Sequence, residues 1–350
     1  MSGADPVAFG TTQNGYALGL AVTVRSALER LDPARRLRLY LLDAGLAPRL
    51  RRRLLRCWPE DRVEVVWIRP DLTRFREVAL PGFFANPAVY LRLLAEELLP
   101  EHEERVIYLD SDLVVQRDLG ELWDLEMGAH PLLAVQDQGL PFVDASHALP
   151  NVEAVAPYLV AVRAVPNWEE LGLDPRAKYL NAGLLVIDLA AWRREKLGSQ
   201  LMQCLRDHRE HAAMADQYAL NACLCGRWGE LDLRWNANVG IFKFPSAEES
   251  PFDAETLLRV REDPWIIHYV GFAKPWSWDS PTAWKELWQR ERDTTGWPAW
   301  ARGRWTLWPW LRRRWLRYSR PFRRSARDAR RALSRSGRRL RGAANRRLNR

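Results

Sequence analysis

The stretch Arg105-Val-Ile-Tyr-Leu-Asp-Ser-Asp-Leu-Val-Val115 joins an apolar run to two carboxylates, Asp110 and Asp112. The run from Val106 to Leu109 lacks the alternation of a strand with one face in water. It therefore predicts a central strand of a mostly parallel sheet that helices cover on both faces. Ligands of such sheets bind at the carboxyl ends of strands, where two oxygen donors suit a divalent cation that bridges to a diphosphate. An Asp-x-Asp pair is also common in solvated turns, so the assignment depends on other residues.

The basic charge of the chain is concentrated at its end. Of the 53 lysines and arginines, nineteen arginines lie between Ala301 and Arg350, whereas Asp328 is the one acid of the 44 that lies there. This segment carries +18, so the formal net charge of +9 leaves −9 for residues 1–300. A length of 350 residues allows two domains or one large α/β domain with a tail. The charge distribution favours an acidic body followed by a basic tail.

The cysteines and the N-terminus point to a reducing compartment. Cys57, Cys204, Cys223 and Cys225 are too few and too irregularly spaced for a disulfide framework or a zinc site. No signal-peptide pattern opens the sequence, and no apolar run approaches the ~20 residues that cross a bilayer. We therefore expect a cytoplasmic protein that is soluble or bound to a surface.

The first 70 residues alternate strands and helices. Residues 7–11 predict a strand, 12–15 a polar turn and 16–31 a helix, and strands over 38–43 and 63–68 flank a helix over 48–57. This βαβαβ order is typical of nucleotide-binding folds, but neither a Gly-x-Gly-x-x-Gly turn nor a Walker loop is present. Tyr16 at the helix start either stacks on a base or packs in the core.

Further polar residues follow predicted strands along the chain. A strand over 131–136 ends at Asp137, at the same sheet edge as the acid pair. Residues 87–99 predict a helix whose Arg92 is either solvated or paired with a phosphate or carboxylate. The proline-rich region 139–175 has no regular pattern, which is typical of a lid or a substrate-recognition loop.

The second half of the chain adds two amide-bearing segments and a histidine. Asn181 and Gly183 lead into a strand, and Ala215-Asp-Gln217 begins a helix in which Asp216 is either an N-cap or a functional acid. A strand over 264–268 ends at His268, which could complete a metal site with the acid pair. Gly271 and Lys274 follow and could hold a phosphate. A single histidine at a strand end is more often structural, but this combination favours a site.

Four segments together resemble glycosyltransferase family 8, the retaining sugar-nucleotide enzymes that include bacterial lipopolysaccharide galactosyl- and glucosyltransferases and glycogenin. They are Leu109-Asp-Ser-Asp112, Leu180-Asn-Ala-Gly183, Ala215-Asp-Gln217 and His268-Tyr-Val-Gly-Phe-Ala-Lys-Pro-Trp276, and the resemblance spans roughly residues 6 to 278. It implies a GT-A fold, a UDP-galactose or UDP-glucose donor and a saccharide acceptor, such as lipopolysaccharide core or another lipid-linked glycan.

The resemblance also implies roles for particular residues. Mn²⁺, or alternatively Mg²⁺, would be held by Asp110, Asp112 and His268. The residues expected to contact the nucleotide sugar are Gly10, Thr12, Gln13, Tyr16, Arg92, Ser111, Gly271 and Lys274. Those expected around the transferred sugar are Asp137, Asn181, Asp216 and Gln217. At position 13 the family usually has Asp or Asn, whereas this chain has Gln13.

Retention of configuration requires either a covalent nucleophile or attack from the face of the leaving group. The neutral amide of Gln217 is a poor nucleophile. Front-face attack is therefore favoured, with a departing phosphate oxygen taking the acceptor proton. Lys274 and the cation would stabilise the charge of the departing diphosphate.

The tail predicts a basic amphipathic helix. Its apolar residues recur at spacings of three and four, which places them on one helical face; they are Trp308, Leu311, Trp315, Tyr318 and Phe322. Arginines cover most of the rest, a pattern suited to an anionic membrane surface. A disordered extension beyond Phe322 and a nucleic-acid contact are the alternatives, and the tryptophans favour lipid.

The sequence thus predicts a GT-A catalytic domain over residues 1–280 and a Trp/Arg-rich helical tail over 281–350. The tail would attach the protein to the inner face of the cell membrane. Two other classes remain as alternatives: a nucleotidyltransferase, although its glycine- and lysine-rich N-terminal loop is missing, and a non-enzymatic protein that binds membranes or nucleic acid through the tail.

Overall fold

The computed structural model describes residues 3–80, 85–277 and 280–297. The predicted membrane contact of residues 300–350 lies outside these ranges. Among the helices of the described ranges, none combines the length and the apolar character that a bilayer span requires.

Strands and helices alternate along the described chain. The strands are β1 (Val7–Thr12), β2 (Leu37–Asp43), β3 (Val63–Ile68), β4 (Arg105–Leu109), β5 (Leu113–Val115), β6 (Leu132–Gln136), β7 (Leu180–Asp188), β8 (Gly229–Glu230), β9 (Ala237–Asn238) and β10 (Ile266–His268). The α-helices are α1 (Ala17–Arg30), α2 (Pro48–Cys57), α3 (Ala95–Leu98), α4 (Leu119–Trp123), α5 (Ala145–Ala148), α6 (Val152–Val155), α7 (Leu189–Glu195), α8 (Leu197–Asp207), α9 (Asp216–Leu224), α10 (Ala254–Glu262) and α11 (Lys285–Thr294).

A seven-stranded sheet in the order β3-β2-β1-β4-β7-β6-β8 forms the centre of the molecule. Strand β4 is its middle strand and pairs in parallel with β1, while β7 runs antiparallel between β4 and β6. The prediction of a mostly parallel sheet with the acid-tipped strand at its centre is confirmed.

Both faces of β4 are covered, which explains its uninterrupted apolar run. Val106 and Tyr108 belong to one core, which includes residues of α8 and α9. Ile107 and Leu109 belong to the other core, which includes residues of α1 and α2. No side chain from 106 to 109 faces water, so the alternation of a one-sided strand is missing.

A small second sheet brings a distant segment to the tip of β4. Its order is β5-β10-β9, and β5 begins directly after Asp112. Strand β10 pairs antiparallel with β5, with His268 opposite Leu113, and the Tyr269 amide donates to the Asp112 carbonyl at 3.0 Å. This pairing places His268 beside the acid pair, although more than 150 residues separate them in the chain.

The prediction of one regular helix over residues 87–99 is wrong. The chain forms 3₁₀ turns at Pro87–Val89 and Leu91–Leu94 before the short α3. All four residues from Leu91 to Leu94 are buried, which a one-sided amphipathic helix does not allow.

The body also extends beyond the predicted boundary at residue 280. Helix α11 packs against α1: Trp288 is fully buried, and Arg30 forms an ion pair with Glu291 at 2.6 Å. The compact unit ends at Trp297. The many charged residues of α11 made its apolar face hard to recognise in the sequence. The aromatic residues that follow α11 made the helix look like part of the tail.

Replacement of Trp288 by alanine is expected to lower the free energy of unfolding by about 3–5 kcal/mol, because the lost indole leaves a cavity in a closed core. Urea unfolding of the full chain measures this change. Arg290→Ala, at an exposed position of the same helix, is the control and should change stability by less than about 0.5 kcal/mol. Equal stabilities of the Trp288 variant and the wild type would exclude α11 from the core.

Candidate active site

A cavity of about 850 Å³ opens at the sheet edge where β1, β4 and β6 end and β7 begins. Every residue that was predicted to contact metal, nucleotide or sugar lines it, except Gly10. They are Thr12, Gln13, Tyr16, Arg92, Asp110, Ser111, Asp112, Asp137, Asn181, Asp216, Gln217, His268, Gly271 and Lys274. The predicted recognition region also contributes Gly139, Leu140, Tyr158 and Val160.

Two carboxylates and one imidazole meet at the centre of this cavity. Nε2 of His268 lies 3.7 Å from Oδ2 of Asp110 and 3.4 Å from Oδ1 of Asp112. One ligand atom from each residue can be chosen so that all lie within 4.8 Å of one another. Two oxygens and one nitrogen at this separation fit a divalent cation such as Mn²⁺ or Mg²⁺.

Asp112 is held in its charged form. Burial by itself would raise the pKa of this carboxyl, but the Lys274 ammonium and His268 more than offset that effect and bring the pKa below its ordinary value. Nζ of Lys274 contacts Oδ2 of Asp112 directly and also donates to the Tyr269 carbonyl at 2.8 Å. A buried carboxylate that stays ionised can serve as a metal ligand.

Arg92 links the acid pair to Asp216. Its Nη2 donates to Oδ1 of Asp110 at 3.0 Å, its Nη1 donates to the Ala182 carbonyl, and its Nε lies 3.0 Å from Oδ2 of Asp216. The guanidinium carbon also lies 4.2 Å from the centre of the Tyr108 ring. Of the two sequence interpretations, a solvated arginine is wrong and a carboxylate partner is confirmed.

Asp216 is the first residue of α9, and Ala215 occupies the N-cap position with φ 51°. The N-cap interpretation of Asp216 is therefore wrong. Its Oδ2 is buried and has no hydrogen-bond partner among the described residues, because the nearby Arg92 Nε is not aligned to donate. Burial raises the pKa of Asp216 to about 6, against the opposing effect of Arg92, and Asp110 adds to the rise. An unpartnered buried oxygen at a cavity wall is suited to accept a hydroxyl of a ligand.

Asp137 is bonded by the protein itself. Its Oδ1 accepts from the amides of Gly139 and Leu140 at 2.7 and 2.8 Å. Its Oδ2 accepts from Nδ2 of Asn181 at 2.7 Å and from Nε2 of Gln217 at 3.1 Å. Four donors leave little capacity for a ligand, so Asp137 orients the two amide side chains.

Gln217 is held at both ends of its side chain. Besides the bond to Asp137, its Oε1 accepts from the Ala182 amide at 3.0 Å. The side chain lines the cavity from the first turn of α9. This arrangement presents a fixed neutral amide next to the Asp216 carboxylate.

The other end of the cavity is aromatic and polar. The Tyr16 ring packs edge-on against Trp276, with centroids 5.6 Å apart, and Lys274 Nζ lies 5.8 Å from the Tyr16 ring. Thr12 Oγ1 is buried without a hydrogen-bond partner among the described residues. Ser111 Oγ donates to the Thr11 carbonyl at 2.7 Å.

Two predicted glycines have different surroundings. Gly271 has φ 79°, a conformation that favours a residue without a side chain, and it lines the cavity. Gly10 does not reach the cavity: a Cβ there would lie 3.0 Å from the Leu109 carbonyl oxygen, so this glycine serves the close approach of β1 to β4. The nucleotide contact of Gly10 stays a prediction.

Asn236, which is fully buried directly before β9, was not among the predicted site residues. Its Oδ1 lies 2.9 Å from Nδ1 of His268, and its Nδ2 donates to Oδ1 of Asn181 at 2.9 Å. The stretch Trp235-Asn-Ala-Asn238 carries two amides among apolar residues. That is a signal of buried polar function, but no spacing rule ties it to a histidine thirty residues later.

The match to a known family covers almost all of this body. The family model "Glycosyl transferase family 8" matches residues 6–279. The chain belongs to this family. The resemblance is confirmed, and family membership makes the chain a glycosyltransferase, which replaces the alternatives of a nucleotidyltransferase and of a non-enzymatic binding protein.

Relatives of this family 8 glycosyltransferase come from several bacteria. General stress protein A of Bacillus subtilis is 27% identical over 267 residues, which cover 75% of this chain and 85% of that protein. Lipopolysaccharide 1,3-galactosyltransferase of Salmonella typhimurium is 26% identical over 196 residues, which cover 55% of this chain and half (50%) of that protein. Both are family relatives at a moderate distance.

A solved structure shows the same fold. The crystal structure of the galactosyltransferase LgtC in complex with donor and acceptor sugar analogs superposes with a TM-score of 0.68. It is 23% identical, and the match covers 85% of this chain and 99% of LgtC. The predicted GT-A fold is confirmed. Membership of the family implies a nucleotide-sugar donor and a glycan acceptor.

Asp216→Asn is expected to remove a pH dependence of stability. The folded pKa of about 6 lies above the unfolded value of about 3.9. Stabilisation from the protonated carboxyl is therefore complete below about pH 3.9 and is lost as the pH rises through about 6. Relative to Asp216→Asn, the wild type should lose roughly 3 kcal/mol of unfolding free energy between pH 4 and pH 7. Urea unfolding at a series of pH values tests this, and parallel profiles of the two proteins would contradict it.

Proposed function

We propose that this family 8 chain is a metal-dependent, retaining hexosyltransferase that moves galactose or glucose from a UDP-sugar to a saccharide acceptor. The observation that carries the proposal is the placement of the Asp110, Asp112 and His268 triad between two differently equipped ends of one cavity. One end offers Tyr16 and the other the buried Asp216 carboxylate. This order matches the order of base, diphosphate and sugar in the donor.

The nucleotide end supports a UDP donor. Tyr16 presents a ring that is braced by Trp276, and the unpartnered Thr12 Oγ1 can bond to a polar group of the base or ribose. Gly271 lets backbone approach the diphosphate, and Lys274 brings a buried positive charge beside the triad. The cavity is large enough for a nucleotide sugar, since ligand sites commonly measure ~300–1,000 Å³.

A bound Mn²⁺ would supply Lewis-acid stabilisation of the leaving diphosphate. The residues that would hold it are Asp110, Asp112 and His268, whose donor set fits such an ion. Lys274 adds a second cation that interacts with the negative charge as it develops. This is the charge distribution that favours the transition state over the bound donor.

The sugar end supports front-face attack. Gln217 is neutral and hydrogen-bonded at both ends, so it orients the sugar and does not attack it. In the proposed step the bond from the anomeric carbon to the phosphate oxygen breaks, the acceptor oxygen bonds to the same face, and the departing phosphate oxygen takes the acceptor proton. Asp216 accepts a sugar hydroxyl through its unpartnered Oδ2.

Apolar side chains at the rim of the cavity suit a saccharide acceptor. Val160 is 58% exposed and Phe242 44% exposed, and both line the cavity with Tyr158. Aromatic and aliphatic surfaces pack against the apolar faces of sugar rings. The similarity to the Salmonella lipopolysaccharide 1,3-galactosyltransferase supports a lipid-linked glycan acceptor for this chain.

Attachment to the inner face of the cell membrane completes the proposal. The tail 300–350 carries interfacial tryptophans among arginines. The described body has a second cationic surface: α2 holds five arginines and no acid, and Arg49, Arg52 and Arg56 are exposed. Arg51 covers the Trp67 ring at 4.3 Å. An arginine-rich helix with aromatic support, in a body that is otherwise acidic, favours an anionic lipid surface.

With UDP-galactose or UDP-glucose and Mn²⁺, the purified chain is expected to release UDP slowly even without acceptor. Asp112→Ala should reduce this release at least a hundredfold, because it removes a ligand and a partner of Lys274 at once. A coupled assay for UDP measures the rate, with EDTA as a second control. Undiminished Mn²⁺-dependent release by the Asp112 variant would exclude the metal assignment.

The full chain is expected to sediment with vesicles that contain anionic lipid and to lose most of that binding when truncated at Trp300. Within the full chain, the triple change of Arg49, Arg52 and Arg56 to Gln should weaken binding at least tenfold, since each basic residue contributes roughly 1 kcal/mol near such a surface.

A matched control changes three arginines that are exposed on or beside α7 and α8, on the opposite face of the sheet: Arg194, Arg206 and Arg209 to Gln. This control should bind as the wild type does. Equal binding by the truncated and full-length chains would refute a membrane role of the tail, and equal losses in the two triple variants would refute a specific role of α2.

A further inference from the structure

We propose that Asn236 is a positioning residue that holds the His268 imidazole as its Nδ1–H tautomer, with the lone pair of Nε2 directed at Asp110 and Asp112. The inference rests on the proposed cation site. Asn236 lies outside the four segments that carry the resemblance to the family. Asn236 does not line the cavity, so its effect passes through His268.

The donor and the acceptor of each hydrogen bond can be assigned from groups that can only donate or only accept. The Gly183 amide can only donate, and it bonds to Oδ1 of Asn181 at 2.9 Å. The other end of that side chain lies 2.7 Å from Oδ2 of Asp137, a carboxylate that accepts. Asn181 therefore has its oxygen toward Gly183 and its nitrogen toward Asp137.

Asn236 is oriented in turn by Asn181. The atom of Asn236 that lies 2.9 Å from the Asn181 oxygen must be its nitrogen, because two acceptors would repel each other. The oxygen of Asn236 consequently faces Nδ1 of His268 at 2.9 Å. An amide oxygen can only accept, so the imidazole nitrogen at this position carries the hydrogen.

The consequence lies at the opposite nitrogen of the ring. In a neutral imidazole with a hydrogen on Nδ1, Nε2 has a lone pair and no hydrogen. This lone pair faces Oδ2 of Asp110 and Oδ1 of Asp112 at 3.7 and 3.4 Å. Three electron-rich atoms that face each other attract a cation, and metal-bound histidines are commonly oriented by such an oxygen on their other nitrogen.

The backbone holds the ring from a second side. A Cβ at Gly183 would overlap with Cε1 and Nδ1 of His268, so the ring packs directly against this glycine. Strand β9 pairs with β10, and His268 lies opposite Asn238. Asn236 comes two residues before Asn238, so this pairing keeps it close to His268. The ring is thus fixed by one hydrogen bond and one close contact, and both come from residues that do not bind the cation.

Two measurements on the full-length protein test the inference. Long-range ¹H–¹⁵N NMR of protein that is ¹⁵N-labelled in its 6 histidines should show His268 as the Nδ1–H tautomer. The His268 signal is assigned by comparison with a variant in which His268 is replaced. In Asn236→Ala the signal should shift towards the Nε2–H tautomer. Mn²⁺ titration followed by electron paramagnetic resonance should show about 10–100-fold weaker binding.

Two further variants separate positioning from general damage. Asn236→Asp keeps an acceptor for Nδ1–H and should bind Mn²⁺ more tightly than Asn236→Ala. Asn167→Ala removes another buried amide, which bonds to Tyr218 and not to the triad, and should leave Mn²⁺ affinity and the tautomer unchanged.

The outcomes distinguish this inference from the proposed function. A wild-type protein that binds no Mn²⁺ overturns the proposed cation site. Wild-type binding with an Nε2–H tautomer overturns the role of Asn236, as does an Asn236→Ala variant with unchanged affinity and tautomer. A loss of affinity that Asn167→Ala reproduces would show general destabilisation and would also overturn it.

Discussion

The burial of several carboxylates at one edge of the central sheet is the constraint on which the site depends. Asp112, Asp137 and Asp216 are each more than nine-tenths buried, and Asp110 lies among them. A buried charge without compensation costs several kcal/mol. The fold meets this cost in three ways: Lys274 contacts Asp112, Arg92 lies between Asp110 and Asp216, and backbone and amide donors surround Asp137.

These three kinds of compensation have different consequences for chemistry. The donors around Asp137 saturate that carboxylate, which makes it a support for neighbouring amides. Arg92 leaves Oδ2 of Asp216 without a hydrogen bond, so this oxygen keeps the capacity to receive a ligand. Asp112 forms an ion pair with Lys274, whose ammonium group could also interact with a phosphate. This chain therefore has one carboxylate that supports neighbouring side chains, one with an oxygen free of hydrogen bonds, and two at a position that fits a cation.

Hydrogen-bond direction connects the two ends of this arrangement. From the imidazole of His268 the bonds run through Asn236 and Asn181 to Asp137, and in the proposed tautomer of His268 the acceptor of each bond lies on the Asp137 side. The same carboxylate accepts from Gln217. The orientations of His268 and Gln217 thus depend on one anchored acceptor, Asp137.

What the sequence by itself determined was local. The apolar run of β4, the acids at its tip, the family segments and the separation of charge between body and tail depend on neighbouring residues and periodicity, and the fold and fourteen residues of the cavity lining were predicted from them. The tertiary structure alone decided which distant groups meet. The pairing of β10 with β5 brings His268 to Asp112, and 3₁₀ turns bury Arg92 between two acids. Strand β9 brings Asn236 to the histidine, and the aromatic face of α11 closes on α1. Such contacts depend on strand register and on the packing of separate elements, and no short-range pattern encodes either.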